Sequence, residues 1–193
     1  MFIPWPSIES FYNVRKVTHK YPELLNGFNS VTYRAKCKIH GTNSAIQCHA
    51  DGSVVAQSRT NCLVGGHDNA GFAKWVEETK EHWQNVAKEF GPTLIYGEWA
   101  GKGIQAGVAI SQIPNKVFCV FSACSLETPD KIFSAPSCLN ARVAGIPNVY
   151  VLPWHENLEV TIDWLQPAEE LEQIVSKINE KFLRRVAEIA IKN

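Results

Sequence analysis

Residues 31–59 read VTYRAKCKIHGTNSAIQCHADGSVVAQSR, and the fold is read outward from them. VTYRAKCKIH (31–40) and SAIQCHA (44–50) are extended runs rich in strand-favouring side chains, and Asp51-Gly52 separates the second from SVVAQSR (53–59). Asp-Gly between two such runs predicts a tight hairpin, because the favoured two-residue turn needs positive φ at its centre. Downstream the period changes. Phe72, Trp75, Val76, Trp83, Val86 and Phe90 recur at three- to four-residue intervals between Glu and Lys, which predicts an amphipathic helix over 71–90 stopped by Gly91-Pro92.

Further extended runs follow: TLIYGEW (93–99), KVFCVFSA (116–123), NVYVLPW (148–154) and the shorter LEVTID (158–163). From Pro167, a favoured first-turn residue, Leu171, Ile174, Val175, Ile178, Phe182, Val186 and Ile189 mark one face of a long final helix. With no repeat or long linker, the reading is one α+β domain over 1–193, built of mostly antiparallel sheets with flanking helices.

Composition supports this. The 193 residues are 45% hydrophobic and 20% charged, which excludes a disordered or fibrous chain. A chain of this length buries roughly 70% of its unfolded surface, so it needs no disulfide or metal to hold together. Nineteen basic and nineteen acidic residues cancel, so a polyanion must be met by a local patch rather than an overall field. The six cysteines (Cys37, Cys48, Cys62, Cys119, Cys124 and Cys138) are scattered, with no CxxC and no zinc-ligand spacing, and are expected to be reduced. No leader pattern or membrane-length apolar run occurs, so the expectation is a cytoplasmic protein without a membrane partner.

Chemistry concentrates at Lys38-Ile39-His40-Gly41-Thr42-Asn43, a lysine and a turn glycine between two extended runs. A lysine amine attacks only when deprotonated, so a nucleophilic role needs desolvation or nearby cations, which Lys36 and Arg59 could supply. Ser58-Arg59-Thr60 follows, then YGEWAGKGIQ (96–105), which pairs the strand-end Glu98 with a glycine-rich turn, then the run holding Phe118 and Phe121. Taken singly, Arg59 is a surface arginine, Glu98 a solvated strand end and Phe121 a core ring. Together they describe a pocket with a nucleophile, an arginine, a carboxylate for hydroxyls and a ring for a base.

In order and spacing, KIHGTN, SRT, YGEWAGKGIQ and KVFCVF resemble motifs I, Ia, III and IIIa of the ATP-dependent RNA ligases, in the RNA ligase 2-like branch of the covalent nucleotidyltransferases. Histidine at position 40 favours that branch over DNA ligases and capping enzymes, whose motif usually reads KxDG. The resemblance implies a nucleotidyltransferase fold, ATP-grasp-like, with the adenylation domain at 1–193. It implies that Lys38 attacks the α-phosphate of ATP and carries AMP as a phosphoramidate. Arg59 then contacts the nucleotide, Glu98 holds ribose hydroxyls, Phe121 stacks on adenine, and Cys37 and Ile39 line the site. Cys37 departs from the acidic residue of some relatives. Asn43 matches a polar position of the metal-assisted step, and His40 one of a later ligation step. The implied cofactors are ATP and Mg2+. The implied partner is RNA with 5′-phosphate and 3′-hydroxyl ends, sealed in RNA repair, with no obligate protein partner.

Two signatures of that family, EGxVxK (motif IV) and a downstream KxK (motif V), are absent: the chain has no Glu-Gly pair, and its only KxK is Lys36-Cys37-Lys38. Either the chain is a piece of a longer ligase or it is a degenerate relative. Weak or absent adenylation is expected in both cases. The alternatives are a non-catalytic nucleotide- or RNA-binding relative, and a DNA ligase or capping-type enzyme. His19, His49, His67, His82 and His155 form no recognisable triad and read as structural. The final helix alternates Lys177, Lys181, Arg184, Arg185 and Lys192 with Glu169, Glu170, Glu172, Glu180 and Glu188, the pattern of a solvated face.

Overall fold

A computed structural model describes residues 1–155 and 158–192, with side chains described through residue 180. The chain forms two compact units, the first made of residues 1–6 and 36–154 and the second of 7–35 and 155–193.

The first unit is built on a five-stranded sheet. Its strands are β2 (Thr42–Cys48), β3 (Val54–Ser58), β4 (Thr93–Ala100), β5 (Val117–Ser125) and β6 (Val149–Val151), in the order β3-β2-β4-β5-β6. The β2–β3 hairpin closes where Asp51-Gly52 predicts it. Gly52 has φ +78°, its N–H donates to His49 O at 3.0 Å, and the Asp51 carboxylate accepts from Ser53 N–H at 2.8 Å. All pairings are antiparallel except β5–β6, which is parallel because the intervening segment carries helix α4 (Pro136–Val143) as a crossover.

The expected single helix over 71–90 is two, α2 (Phe72–Glu78) and α3 (Lys80–Phe90). Thr79 breaks it: φ leaves the helical region and its hydroxyl bonds Trp75 O at 2.8 Å, a local alternative to the helix ladder. The apolar residues predicted to face one way do so, with Phe72, Trp75, Val76, Trp83 and Val86 buried against Ile46, Ile95, Trp99 and Phe118 of the sheet. Fully burying side chains of this size contributes roughly 1.5–3 kcal/mol each.

The second unit pairs β1 (Ser30–Arg34) with β7 (Glu159–Asp163) antiparallel. Two helices accompany them, α1 (Phe11–Lys20), which periodicity leaves unassigned, and α5 (Ala168–Lys192). Ser10 caps α1 by accepting from Asn13 N–H. Leu171 of α5 is buried with Ile162 and Trp164, beside Phe11, Val14 and Ile174. The first part of the predicted stripe is therefore covered within this unit, whereas Phe182, Val186 and Ile189 have side chains outside the described residues.

The first extended run is corrected. Strand β1 ends at Arg34 rather than His40, because after Ala35 N–H bonds Leu158 O the chain leaves the β1–β7 ladder and crosses to the other unit. Residues 35–40 belong to no strand. Among the described residues no helix is long and apolar enough to cross a membrane, and all six cysteines are free.

Gly97 sits opposite Val120 under the Phe118 ring, and a Cβ there would lie 2.5 Å from that ring. Gly97→Ala is expected to cost about 1–3 kcal/mol as overpacking, read as a lower urea midpoint at unchanged slope.

Candidate active site

Strand alternation sorts the sheet into two faces. Cross-strand pairs Asn43↔Glu98, Ala45↔Tyr96 and Gln47↔Leu94 place these six residues on one side, while Ile46, Ile95 and Trp99 on the other side meet α2 and α3. Asn43, Glu98 and the neighbouring Phe121 therefore belong to the side opposite the helices. Tyr96 pairs with Ser122 and Gly97 with Val120, so Phe121 is the extra residue of a β-bulge. Such a bulge re-aims a side chain. Here it leaves Phe121 half-buried beside Ala45, Tyr96 and Cys124.

Lys38 stands in the strandless link before β2, and its side chain is exposed, as are those of Cys37, His40 and Arg59; Ile39 and Asn43 are half-buried. Arg59 and Thr60 form the tip of a turn closed by Ser58 N–H on Asn61 O at 2.9 Å. Burial raises the pKa of Glu98, opposed first by the Gly41 N–H it accepts and then by the charges of Lys38, His40 and Arg59. These three basic side chains thus lower the Glu98 pKa, but by less than burial raises it. Burial, and after it the charge of Glu98, pushes the thiol of Cys119, the cross-strand neighbour of Glu98, up to about 11.

The turn after Lys38 is clamped from both sides. Glu98 Oε1 accepts from Gly41 N–H at 3.0 Å, and Gln105 Nε2 donates to Gly41 O at 3.1 Å. Only glycine fits, since a Cβ at position 41 would lie 2.3 Å from Trp99 O. Thr42 and Ser44 are tied in turn to Asn69, which accepts from the first hydroxyl and donates to the second.

Lys36 has a different setting from the one its sequence position implies. Strand alternation, which would set it beside Lys38, stops at Arg34. Its ammonium donates to Phe121 O (2.9 Å) and Ser134 O (2.6 Å) and lies 4.6 Å from the centre of the Trp154 ring. Burial lowers its pKa to about 8. Lys36 is therefore spent on holding the bulge carbonyl. Two positions that the motif reading left without a role also enter the site. Gln105 lay inside a quoted motif; Trp5, whose ring meets those of Tyr96 and Phe121, carried no local signal.

The described residues contain no group of three His, Cys, Asp or Glu side chains able to hold a metal ion. Glu98 is the acidic side chain at this site, and one of its oxygens is committed to Gly41.

The profile of a family described as RNA ligase matches residues 31–189. No curated protein matches the sequence. Solved structures of an RNA ligase from Naegleria gruberi share the fold. A variant with AMP and manganese has TM-score 0.59 at 14% identity, covering 87% of this chain and 46% of that one. A form with pyrophosphate has TM-score 0.57 at 13% identity over 87% and 46%, and a variant with ATP and manganese 0.51 at 14% over 72% and 39%. The chain spans about half the length of these structures or less.

Two outcomes follow from the clamp. Gly41→Ala is expected to destabilise the first unit by about 1–3 kcal/mol, seen in chemical denaturation. Because burial raises the Glu98 pKa, the folded state holds its proton more tightly than the unfolded state does. Its contribution is fully present below the ordinary glutamate pKa and is lost as pH rises through the raised one. Glu98→Gln keeps an acceptor for Gly41, so its stability relative to wild type should increase over that window, measured by urea unfolding at a series of pH values.

Proposed function

The chain belongs to the RNA ligase family, and from that premise we propose that it carries the nucleotide-transfer centre of an ATP-dependent RNA ligase, with Lys38 as the nucleophile. The observation that carries the proposal is the clamp on the turn that follows the lysine, where Glu98 Oε1 accepts from Gly41 N–H at 3.0 Å and Gln105 Nε2 donates to Gly41 O at 3.1 Å. A flexible amine is useful as a nucleophile only if its neighbours hold the chain that bears it, and the Glu98–Gly41–Gln105 clamp does this.

In this reading ATP enters as its magnesium complex, a substrate whose metal is coordinated chiefly by phosphate and water oxygens. Once its ammonium has given a proton to solvent, the Lys38 amine forms a bond to the α-phosphorus as the bond from that phosphorus to the bridging oxygen breaks. Pyrophosphate leaves and the amine loses a further proton to solvent. The 5′-phosphate of RNA then displaces the lysine from AMP, and a 3′-hydroxyl displaces AMP, closing the phosphodiester. Cationic Arg59 neutralises phosphate charge, the kind of interaction that dominates such transition states. Glu98, with one oxygen on Gly41, offers the other to ribose hydroxyls. Phe121 provides a ring for the base, with Ile39, Cys37 and Asn43 around the nucleotide, and His40 serves the later transfer. The 193-residue sequence has no downstream KxK of motif V, so turnover by this chain is expected to be slow.

Intact mass after incubation with ATP and magnesium tests the proposal. A gain of one AMP in the wild type and none in Lys38→Ala is the expected result. Reversible ATP binding without a covalent product would instead identify a binding module, and no binding would remove the nucleotide reading.

A further inference from the structure

The first six residues belong to the same compact unit as the sheet although residues 7–35 do not. They have no regular secondary structure, yet four hydrogen bonds hold their backbone at Ile3 N–H, Ile3 O and Met1 O. Gln57 makes a two-way amide contact with Ile3, accepting from its N–H at 3.3 Å and donating to its carbonyl at 3.0 Å. Tyr96 OH donates to the same carbonyl at 3.3 Å, and Gln47 Nε2 donates to Met1 O at 2.8 Å. Gln47 and Gln57 are each only 1% exposed and also bond one another. Buried amides of this kind are costly unless paired, so this polar slot in the sheet depends on the first residues for its partners. Pro4 and Pro6 bias Ile3 and Trp5 towards extended backbone and stiffen the segment.

The slot places Trp5. Its ring meets Tyr96 at 5.0 Å and Phe121 at 4.9 Å between centroids, both edge-on. Phe121 is the bulge residue, and its carbonyl is held by Lys36. Trp5 thus restrains the ring and Lys36 the backbone of the same residue.

We propose that residues 1–6 form a strap, seated by Gln47 and Gln57, through which Trp5 acts as the positioning residue for Phe121 as a nucleobase platform. The proposal rests on the nucleotide reading above. It assigns the purine end of the ligand, and not its phosphates, to the strap. An edge-on aromatic pair is worth about 0.5–1.5 kcal/mol beyond its area, so removing it is expected to weaken nucleotide binding roughly two- to tenfold.

Calorimetry with ATP and with inorganic tripolyphosphate on wild type, Trp5→Ala and Trp5→Phe separates the outcomes. The expected result is weaker ATP binding in Trp5→Ala with tripolyphosphate binding unchanged, and a smaller loss in Trp5→Phe. In parallel, wild-type protein labelled with 5-fluorotryptophan, its Trp5 signal assigned through Trp5→Phe, should show a fluorine shift with ATP and none with tripolyphosphate. That measurement stands even if Trp5→Ala folds poorly. Equal losses for both ligands, unchanged ATP binding, or a Trp5 signal indifferent to ATP would overturn the strap alone. Failure of the wild type to bind ATP would overturn the nucleotide reading and the strap with it.

Discussion

The hydrogen bond from Gly41 N–H to Glu98 is the constraint on which the site depends. It joins the link that carries Lys38 to the central strand of the sheet, and it requires a residue without Cβ, since Trp99 O occupies the space a side chain would need. The glycine of the motif is explained by this close approach; it does not fall at a positive φ. Gln105 closes the other side of the same peptide unit. One oxygen of the Glu98 carboxyl is thus committed to the turn after Lys38, and burial raises the pKa of that carboxyl.

The second constraint is the bulge at Phe121. A regular β4–β5 ladder would alternate β5 side chains without interruption, and the inserted residue instead turns one ring towards Ala45, Tyr96 and Cys124. Bulges disrupt a ladder locally, and here the lost regularity is offset by Lys36 on the carbonyl and Trp5 on the ring. The half-buried Lys36 ammonium has carbonyl dipoles and an aromatic face as partners, which suits a group that holds backbone.

Most elements were legible in the sequence because their signals are local. Asp51-Gly52 marks its hairpin through a backbone preference, the 72–90 spacing marks a helical face, and the long apolar runs mark β4 and β5. Thr79 divides the helix through a side-chain bond that periodicity does not register. The run 31–40 misleads because β-rich composition continues through residues whose ladder partner, β7, stops at Glu159 opposite Arg34.

The residue types of the candidate site, its lysine, arginine, carboxylate and ring, are legible in the sequence because KIHGTN, SRT, YGEWAGKGIQ and KVFCVF are short local motifs. Their roles relative to one another were decided by tertiary structure. Whether Lys36 assists Lys38 or holds a bulge depends on where carbonyls 85 and 98 residues away come to lie. Whether Trp5 belongs to the site depends on two glutamines that pair with its neighbours from strands 46 and 54 residues downstream. Sequence periodicity is a short-range property, whereas a carbonyl or an amide recruited across the sheet is specified only once the strands have packed.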